Sequence, residues 1–77
     1  MKPKVNDYIA SIISSNVTTR GKFANMRYYK IFEIINNNDF IKPHIKAKRI
    51  RREDITSGAK LHYFSELHPH NEIELID

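Results

Sequence analysis

Lys and Arg side chains are concentrated in one short stretch of the chain, IKPHIKAKRIRRED at residues 41–54. Six basic residues and no acidic residue lie between Lys42 and Arg52, interleaved with apolar ones. Ammonium and guanidinium groups at this density neutralise phosphates, which gives affinity for nucleic acid, a strong salt dependence and little sequence specificity. The stretch therefore indicates an anionic partner.

A second group of candidate contact residues precedes that stretch. Arg and Asn side chains can pair with base edges, whereas Lys and Tyr usually bind phosphates. We therefore predict that duplex DNA is contacted by residues upstream of the basic stretch as well as within it. The upstream residues are Arg20, Lys22, Asn25, Arg27, Tyr29 and Lys30. The residues within the stretch are Lys46, Lys48, Arg49, Arg51 and Arg52.

Metal-binding and catalytic chemistry have weaker support in the sequence. Imidazoles bind zinc or nickel, and the run His68-Pro69-His70 with His62 offers three, but no cysteine and no patterned carboxylate accompanies them. Nucleophile and metalloprotease motifs are missing, and two glycines cannot build a Gly-rich phosphate loop. We therefore predict that the protein is not an enzyme and holds no cofactor and no metal.

Length and charge bound the class of protein. Seventy-seven residues suffice for one small domain over 1–77, and the lack of cysteine, signal peptide and apolar span predicts a cytoplasmic protein with no membrane contact. Residues 1–52 carry 12 Lys and Arg against three acidic residues, whereas 53–77 carry one Lys against six. A basic body with an acidic end favours an anionic partner approached from one side.

Helical spacing dominates the first half of the chain. Apolar residues recur at i, i+3, i+4 and i+7 in two segments, which predicts one helix over residues 4–15 and another over 26–37. Thr18 or Thr19 is a plausible N-cap for a short helix over 20–25 between them. The apolar positions are Val5, Tyr8, Ile9, Ile12 and Ile13 in the first helix and Tyr28, Ile31, Phe32 and Ile35 in the last.

The apolar period changes to about two after Asn36-Asn37-Asn38, which is a strong stop signal. Alternation through Ile45 and Ala47, a turn at Ser57-Gly58 and the run KLHYFSE predict a β-hairpin over 45–64 whose first arm is basic. The acidic segment 66–77 is then a third strand, a dimer strand or a tail.

Three helices followed by a basic hairpin form the plan of an α+β winged helix-turn-helix domain. In that fold the helix over 26–37 enters the major groove of DNA and the hairpin wing binds the flanking phosphates. We therefore expect a sequence-specific protein that binds double-stranded DNA, a small transcriptional or mobile-element regulator. Winged helices of this size often act as homodimers.

The segments NMRYYKIFEIINNNDFIKP and SGAKLHYFSE resemble the small winged-helix regulators of fimbrial operons, the PapI-like group. The likeness covers about residues 5–66. It rests on Arg27-Tyr28-Tyr29 at the start of the recognition helix and on Gly58 before Tyr63-Phe64 in the second wing strand. It implies a transcriptional regulator with Arg27, Tyr29 and Lys30 near DNA. The loop between Ile41 and Gly58 is longer and more basic than is usual in that group.

Two other kinds of partner stay open. Aromatic residues interleaved with basic ones can stack the bases of RNA or of single-stranded DNA. Alternatively, the chain is a phage- or plasmid-type module that binds a host protein and inhibits it. Its 12 Ile, 7 Asn and 8 Lys fit the A/T-rich coding sequences common in such elements.

Overall fold

A five-stranded mixed β-sheet forms the body of the protein. The computed structural model describes residues 2–18, 21–36 and 42–77. Along the chain lie β1 (Tyr8–Thr18), β2 (Gly21–Ile35), β3 (His44–Ile50), a 3-10 turn (Arg52–Asp54), β4 (Leu61–Tyr63), α1 (Phe64–Leu67) and β5 (Glu72–Ile76). The strand order in the sheet is β4-β1-β2-β3-β5.

The first three strands form an antiparallel meander, and the last two close its edges. β1 pairs with β2 and β2 pairs with β3, with Ile9 opposite Tyr29 and Ile31 opposite Ala47. β4 then adds to β1 and β5 adds to β3, both in parallel. Parallel neighbours require crossover connections, so the chain crosses the sheet twice, once through residues 51–60 and once through 64–71.

The core lies on the face of the sheet that is crossed by residues 64–71. We call this segment the strap. Its residue Leu67 is buried among inward-facing side chains of all three central strands, and Phe64 packs against the same cluster. The buried members of the cluster are Ile9, Tyr29, Ile31, Ile45, Ala47 and Leu67. Burial of these apolar side chains is the main driving force of the fold.

The opposite face is partly covered by the connection over residues 51–60. Tyr8 points to this face and is only 2% exposed. Its hydroxyl lies 3.3 Å from the Oγ1 of Thr56 and accepts a hydrogen bond from the Thr56 N–H, which attaches the connection to the sheet. The turn at Ser57-Gly58 directs the segment back to β4, with a bond of 3.0 Å from the Ala59 N–H to the Thr56 carbonyl. Gly58 adopts φ +85°, where glycine is strongly favoured.

The predicted winged helix-turn-helix fold is wrong. Nearly all described residues of the three predicted helices, over 4–15, 20–25 and 26–37, lie in a turn at Val5-Asn6 and in strands β1 and β2. These strands are rich in β-branched and aromatic residues, which favour a pleated surface packed on one side. The four-residue α1, the one α-helix among the described residues, lies where no helix was predicted.

The predicted hairpin over 45–64 contains two real strands but pairs them wrongly. β3 and β4 lie at the predicted places, yet β2 and β1 stand between them in the sheet. The segment between β3 and β4 is ten residues long and contains a 3-10 turn, which allows a crossover instead of a tight hairpin. The basic arm is therefore a strand inside the sheet and not a projecting wing. Within the acidic segment, residues 72–76 form the edge strand β5.

Asp7 and His62 join the start of β1 to β4. The ring of His62 is 2% exposed, and its Nε2 lies 2.9 Å from the Oδ2 of Asp7, which also accepts a bond from the Lys4 N–H. Burial alone would raise the pKa of Asp7. The bonds from His62 and Lys4, with the positive charges of His62 and Lys60, outweigh burial and hold that pKa below its ordinary value of 3.8.

This pairing predicts how stability depends on pH. A lowered carboxyl pKa stabilises the folded state above the ordinary value of 3.8, and that stabilisation is lost as the pH falls through the folded pKa. The Tm of Asp7→Asn should therefore lie below that of the wild type at pH 6 and approach it below pH 3. Thermal unfolding followed by circular dichroism from pH 2.5 to 6 measures the difference. Glu66→Gln, which removes an exposed carboxylate, serves as the control. A constant gap between Asp7→Asn and the wild type would contradict the prediction.

Membrane insertion by a helix has no support in the part of the chain that the structure describes, where no helix has the length and apolar character that crossing requires.

Candidate nucleic-acid interface

Four arginines meet around an open cleft at the end of the sheet where Tyr28 of β2 pairs with Ile50, the last residue of β3. The cleft has a volume of about 580 Å³. Its lining comprises Met26, Arg27, Tyr28, Arg49, Ile50, Arg51 and Arg52. Sites for small ligands usually measure about 300–1,000 Å³, so the cleft can admit one or a few phosphate groups.

Strand pairing brings these distant residues together. Tyr28 lies opposite Ile50 and Tyr29 lies opposite Arg49. Arg27 precedes Tyr28, so it points to the same face as Tyr29 and lies diagonal to Arg49. β5 ends at Ile76, opposite Lys48. The last residues of β3 therefore form an uncovered edge around which the cleft is built.

The two remaining arginines follow the end of β3. Arg51 directs the chain into the 3-10 turn, and its backbone N–H donates to the Oδ2 of Asp54 at 3.2 Å. Arg52 is the first residue of that turn, and both side chains are exposed. The turn thus places two exposed, cationic side chains at the rim of the cleft.

The guanidinium groups of the cleft form no ion pair within the described residues, although the Asp54 carboxylate accepts the bond from the Arg51 N–H beside them. There the ion pairs are Lys46 with Glu33, at 3.5 Å, and Asp7 with His62. No carboxylate lies within 4 Å of the guanidinium groups of Arg27, Arg49, Arg51 or Arg52 in these ranges. Neighbouring like charges repel one another, and an anion in the cleft would relieve that repulsion.

Arg27 has a further unusual feature. Its Nε is fully buried and has no hydrogen-bond partner among the residues that the structure describes. A buried N–H donor without an acceptor costs about 1–3 kcal/mol. The cleft therefore contains one N–H donor, the Nε of Arg27, that no acceptor in residues 2–18, 21–36 and 42–77 satisfies.

The structure divides the predicted DNA-binding residues into three groups. Arg27, Arg49, Arg51 and Arg52 are brought together at the cleft. Lys30 and Lys48 are exposed opposite each other on the face of Tyr28 and Ile50, one row away from the cleft. Arg20 lies outside the described residues, as do the side chains of Lys22 and Asn25.

Two predicted contact residues are occupied within the fold. Tyr29 is 3% exposed and its hydroxyl donates to the Oδ1 of Asp77 at 3.3 Å, so it is a core residue and not a phosphate ligand. Lys46 is paired with Glu33 and also has Glu74 as its opposite neighbour on β5. Alternation along β3 turns Lys46 and Arg49 to opposite faces, which the run of charge in the sequence conceals.

Sequence reasoning did not include Met26, Tyr28 and Ile50 in the site. The Tyr28 hydroxyl contacts the Sδ of Met26 at 3.8 Å, and Tyr28 and Ile50 form a cross-strand pair that supplies the apolar wall of the cleft. Their helical spacing had assigned Tyr28 to a core. The signal that would have found Ile50 is the alternation of basic and apolar residues at the end of β3, where Ile50 lies between Arg49 and Arg51 in the sequence. Tyr28 then follows from the pairing of β2 with β3.

Histidines and acids do not converge into a metal site in the described ranges, where no group of three candidate ligands is found. His62 is bound to Asp7, and the ring of His68 stacks on Phe64 with centroids 5.6 Å apart. His62 and His68 are thus engaged in contacts within the fold.

The sheet extends beyond its core as a two-stranded ribbon. β4 pairs only with residues 8–10 of β1, and β3 pairs only with 28–35 of β2. Residues 11–18 and 21–27 are therefore paired only with each other within the described part of the chain. We call this segment the ribbon. The long dimension of the molecule is 50 Å against 25 and 24 Å for the others, and Arg27 lies at the root of the ribbon.

Comparison with known proteins identifies no relative: no family model matches the chain, and no curated protein and no solved structure is significantly similar to it.

Proposed function

We propose that the protein binds double-stranded DNA through the phosphates of its backbone, with the arginine cleft as the main contact. The observation that carries the proposal is the convergence of Arg27, Arg49, Arg51 and Arg52 without a carboxylate within 4 Å in the described ranges. Guanidinium groups suit this partner because they pair with phosphate oxygens in a fixed, forked geometry.

The ribbon favours a duplex over a single strand. The major groove of B-DNA admits a two-stranded β-ribbon as well as a helix, and several DNA-binding proteins read a groove in this way. Seven or eight residue pairs at about 3.3 Å each give a ribbon of roughly 25 Å, enough to lie along a groove. The cleft at its root would then bind the phosphates that border this groove.

The acidic residues of β5 lie where they would orient the protein on DNA. Glu72 and Glu74 are exposed on β5, the edge strand on the far side of β3 from β2, and Glu74 faces Lys46. DNA would therefore approach the end of the sheet that carries the arginines. A small regulator of transcription or of a mobile element, acting in the cytoplasm, is the biological role that fits this binding.

A protein-binding module is the second candidate. Its support is a small groove of about 140 Å³ between β1, β4 and α1, beside the exposed side chains of Ile12 and Tyr63. A contact there would be largely apolar and insensitive to salt. DNA binding through the cleft would be strongly salt-dependent, so the two functions differ in a measurable property.

Fluorescence anisotropy at 50 and 200 mM salt tests the proposal with a mixed-sequence duplex and a matched single strand. Four phosphate contacts predict a slope of log K against log salt of about −3.6, which is a loss of roughly 100-fold across this range. The duplex should bind more tightly than the single strand. Absence of duplex binding at 50 mM salt would refute the proposal and direct attention to the groove beside Ile12.

A further inference from the structure

Arg27 differs from the other arginines of the cleft in its surroundings. Arg49, Arg51 and Arg52 are exposed, whereas Arg27 is half-buried between the ribbon and the body of the sheet. Its Nε is the one buried side-chain nitrogen or oxygen without a partner among the described residues. An exposed arginine can satisfy its donors with water, but a covered Nε requires an acceptor supplied by the protein or by a ligand.

We propose that the cleft holds one discrete phosphate group, bound side-on by the Nε and a terminal nitrogen of Arg27. This inference rests on the proposed function and identifies the anchoring point of that interface. Side-on pairing uses two parallel N–H donors of a guanidinium against two oxygens of one anion. Since Nε is covered, the side chain must turn toward the cleft as the phosphate enters, which satisfies the orphaned donor at the same time.

The neighbours of Arg27 explain why the ligand is a phosphate. Arg49 lies diagonal to Arg27 on the same face of the sheet, a separation of about 7–8 Å between such positions. A tetrahedral phosphate presents oxygens in more than one direction, so it can bridge two guanidinium groups that approach it from different strands. Arg51 and Arg52 at the rim raise the local positive potential and attract the anion.

Titration of the protein with inorganic phosphate tests the site directly. In ¹H–¹⁵N spectra of the arginine side chains, the Nε–Hε signal of Arg27 should shift and saturate with phosphate, and the same concentration of chloride should leave it in place. The signal is assigned by its loss in Arg27→Lys. A signal that does not move, or that moves equally with chloride, would overturn the proposal whatever the result with DNA.

The same variant connects the site to DNA. Lys keeps the charge but lacks the side-on pair of donors, so Arg27→Lys should bind the duplex roughly tenfold more weakly, with an unchanged salt slope. Lys60→Arg is the matched control, because it exchanges the same two residue types in the opposite direction at a position away from the cleft. It should bind the duplex as the wild type does. Backbone ¹H–¹⁵N spectra of both variants verify the fold.

The outcomes separate the two proposals and the two sources of phosphate. If the wild type binds DNA with the expected salt slope and Arg27→Lys binds the duplex equally well, the anchoring site is refuted and the proposed function stands. A saturable shift with inorganic phosphate in a protein that ignores duplex DNA supports the site and refutes the proposed function, because the phosphate would then belong to a smaller ligand. A shift with both assigns the site to the phosphodiester backbone.

Discussion

Replacing Ile31 with Ala should lower the free energy of unfolding by about 3 kcal/mol, and for a domain of this size the Tm by roughly 15 °C. Ile31 is completely buried at the centre of the sheet, opposite Ala47 and in the same cluster as Ile9, Ile45 and Leu67. The substitution removes three carbons from a position flanked by β3 on one side and by the backbone of Asn6 and Asp7 on the other. The cavity cannot close without moving the ladder, so most of the cost should persist.

Phe32→Ala is the matched control for this prediction. Phe32 is the next residue along the chain, but it lies at the irregularity between Ile31 and Glu33 and is 48% exposed. Its truncation should cost less than about 1 kcal/mol. Thermal and urea unfolding of both variants measure the two values. Similar losses for the two would contradict the strand, because they would place both side chains in the core as the helical pattern predicts.

Removal of three guanidinium groups should nearly abolish DNA binding. In Arg49→Ala/Arg51→Ala/Arg52→Ala the cleft keeps only Arg27, and the loss of three phosphate contacts should make the salt slope shallower by about 2.7. We expect an affinity at least roughly 100-fold lower at 50 mM salt. All three residues are exposed or at the rim of the sheet, so the fold should be retained.

A variant with the same net charge distinguishes the cleft from general attraction. Lys2→Ala/Lys4→Ala/Lys60→Ala also removes three positive charges, and none of these residues lines the cleft. Its affinity should fall only a few-fold because distant charges are screened at this ionic strength. Equal losses for the two triple variants, measured by anisotropy with the same duplex, would show that net charge and not the cleft governs binding.

β2 combines a bulge with apolar residues on both of its faces. The inward positions there are Tyr29, Ile31 and Ile34, and the spacing of three arises because the bulge at Phe32 adds one residue. The helical pattern drew instead on Tyr28, Ile31, Phe32 and Ile35, of which only Ile31 belongs to the buried cluster. Apolar residues on both faces of the strand and at the bulge thus add up to a helical spacing. Periodicity therefore predicted a helix, whereas the β-branched and aromatic content of the segment favoured the strand.

Strand pairing explains the rest of what the sequence did and did not predict. Alternation through Ile45 and Ala47 predicted a strand where β3 lies, and that of Ile73 and Leu75 left a strand as one of the alternatives where β5 lies. The neighbours of each strand depend on contacts over long sequence separations, such as Tyr8 with Leu61, that local patterns do not contain. For the same reason, Arg27, Arg49, Arg51 and Arg52 were named as candidate contacts from their residue types, but their meeting around one cleft depends on the strand register.

The strap has a mechanical consequence. It leaves β4 at one edge of the sheet and reaches β5 at the other, four strand spacings or about 19 Å away. The strap has only eight residues, four in α1 and the next three in a turn that the 3.0 Å bond from the Asn71 N–H to the Leu67 carbonyl closes, so the connection has little slack. The edges cannot spread or slide while Leu67 is packed beneath the sheet. The strap thus ties the two edges of the sheet to each other across the face that carries the core.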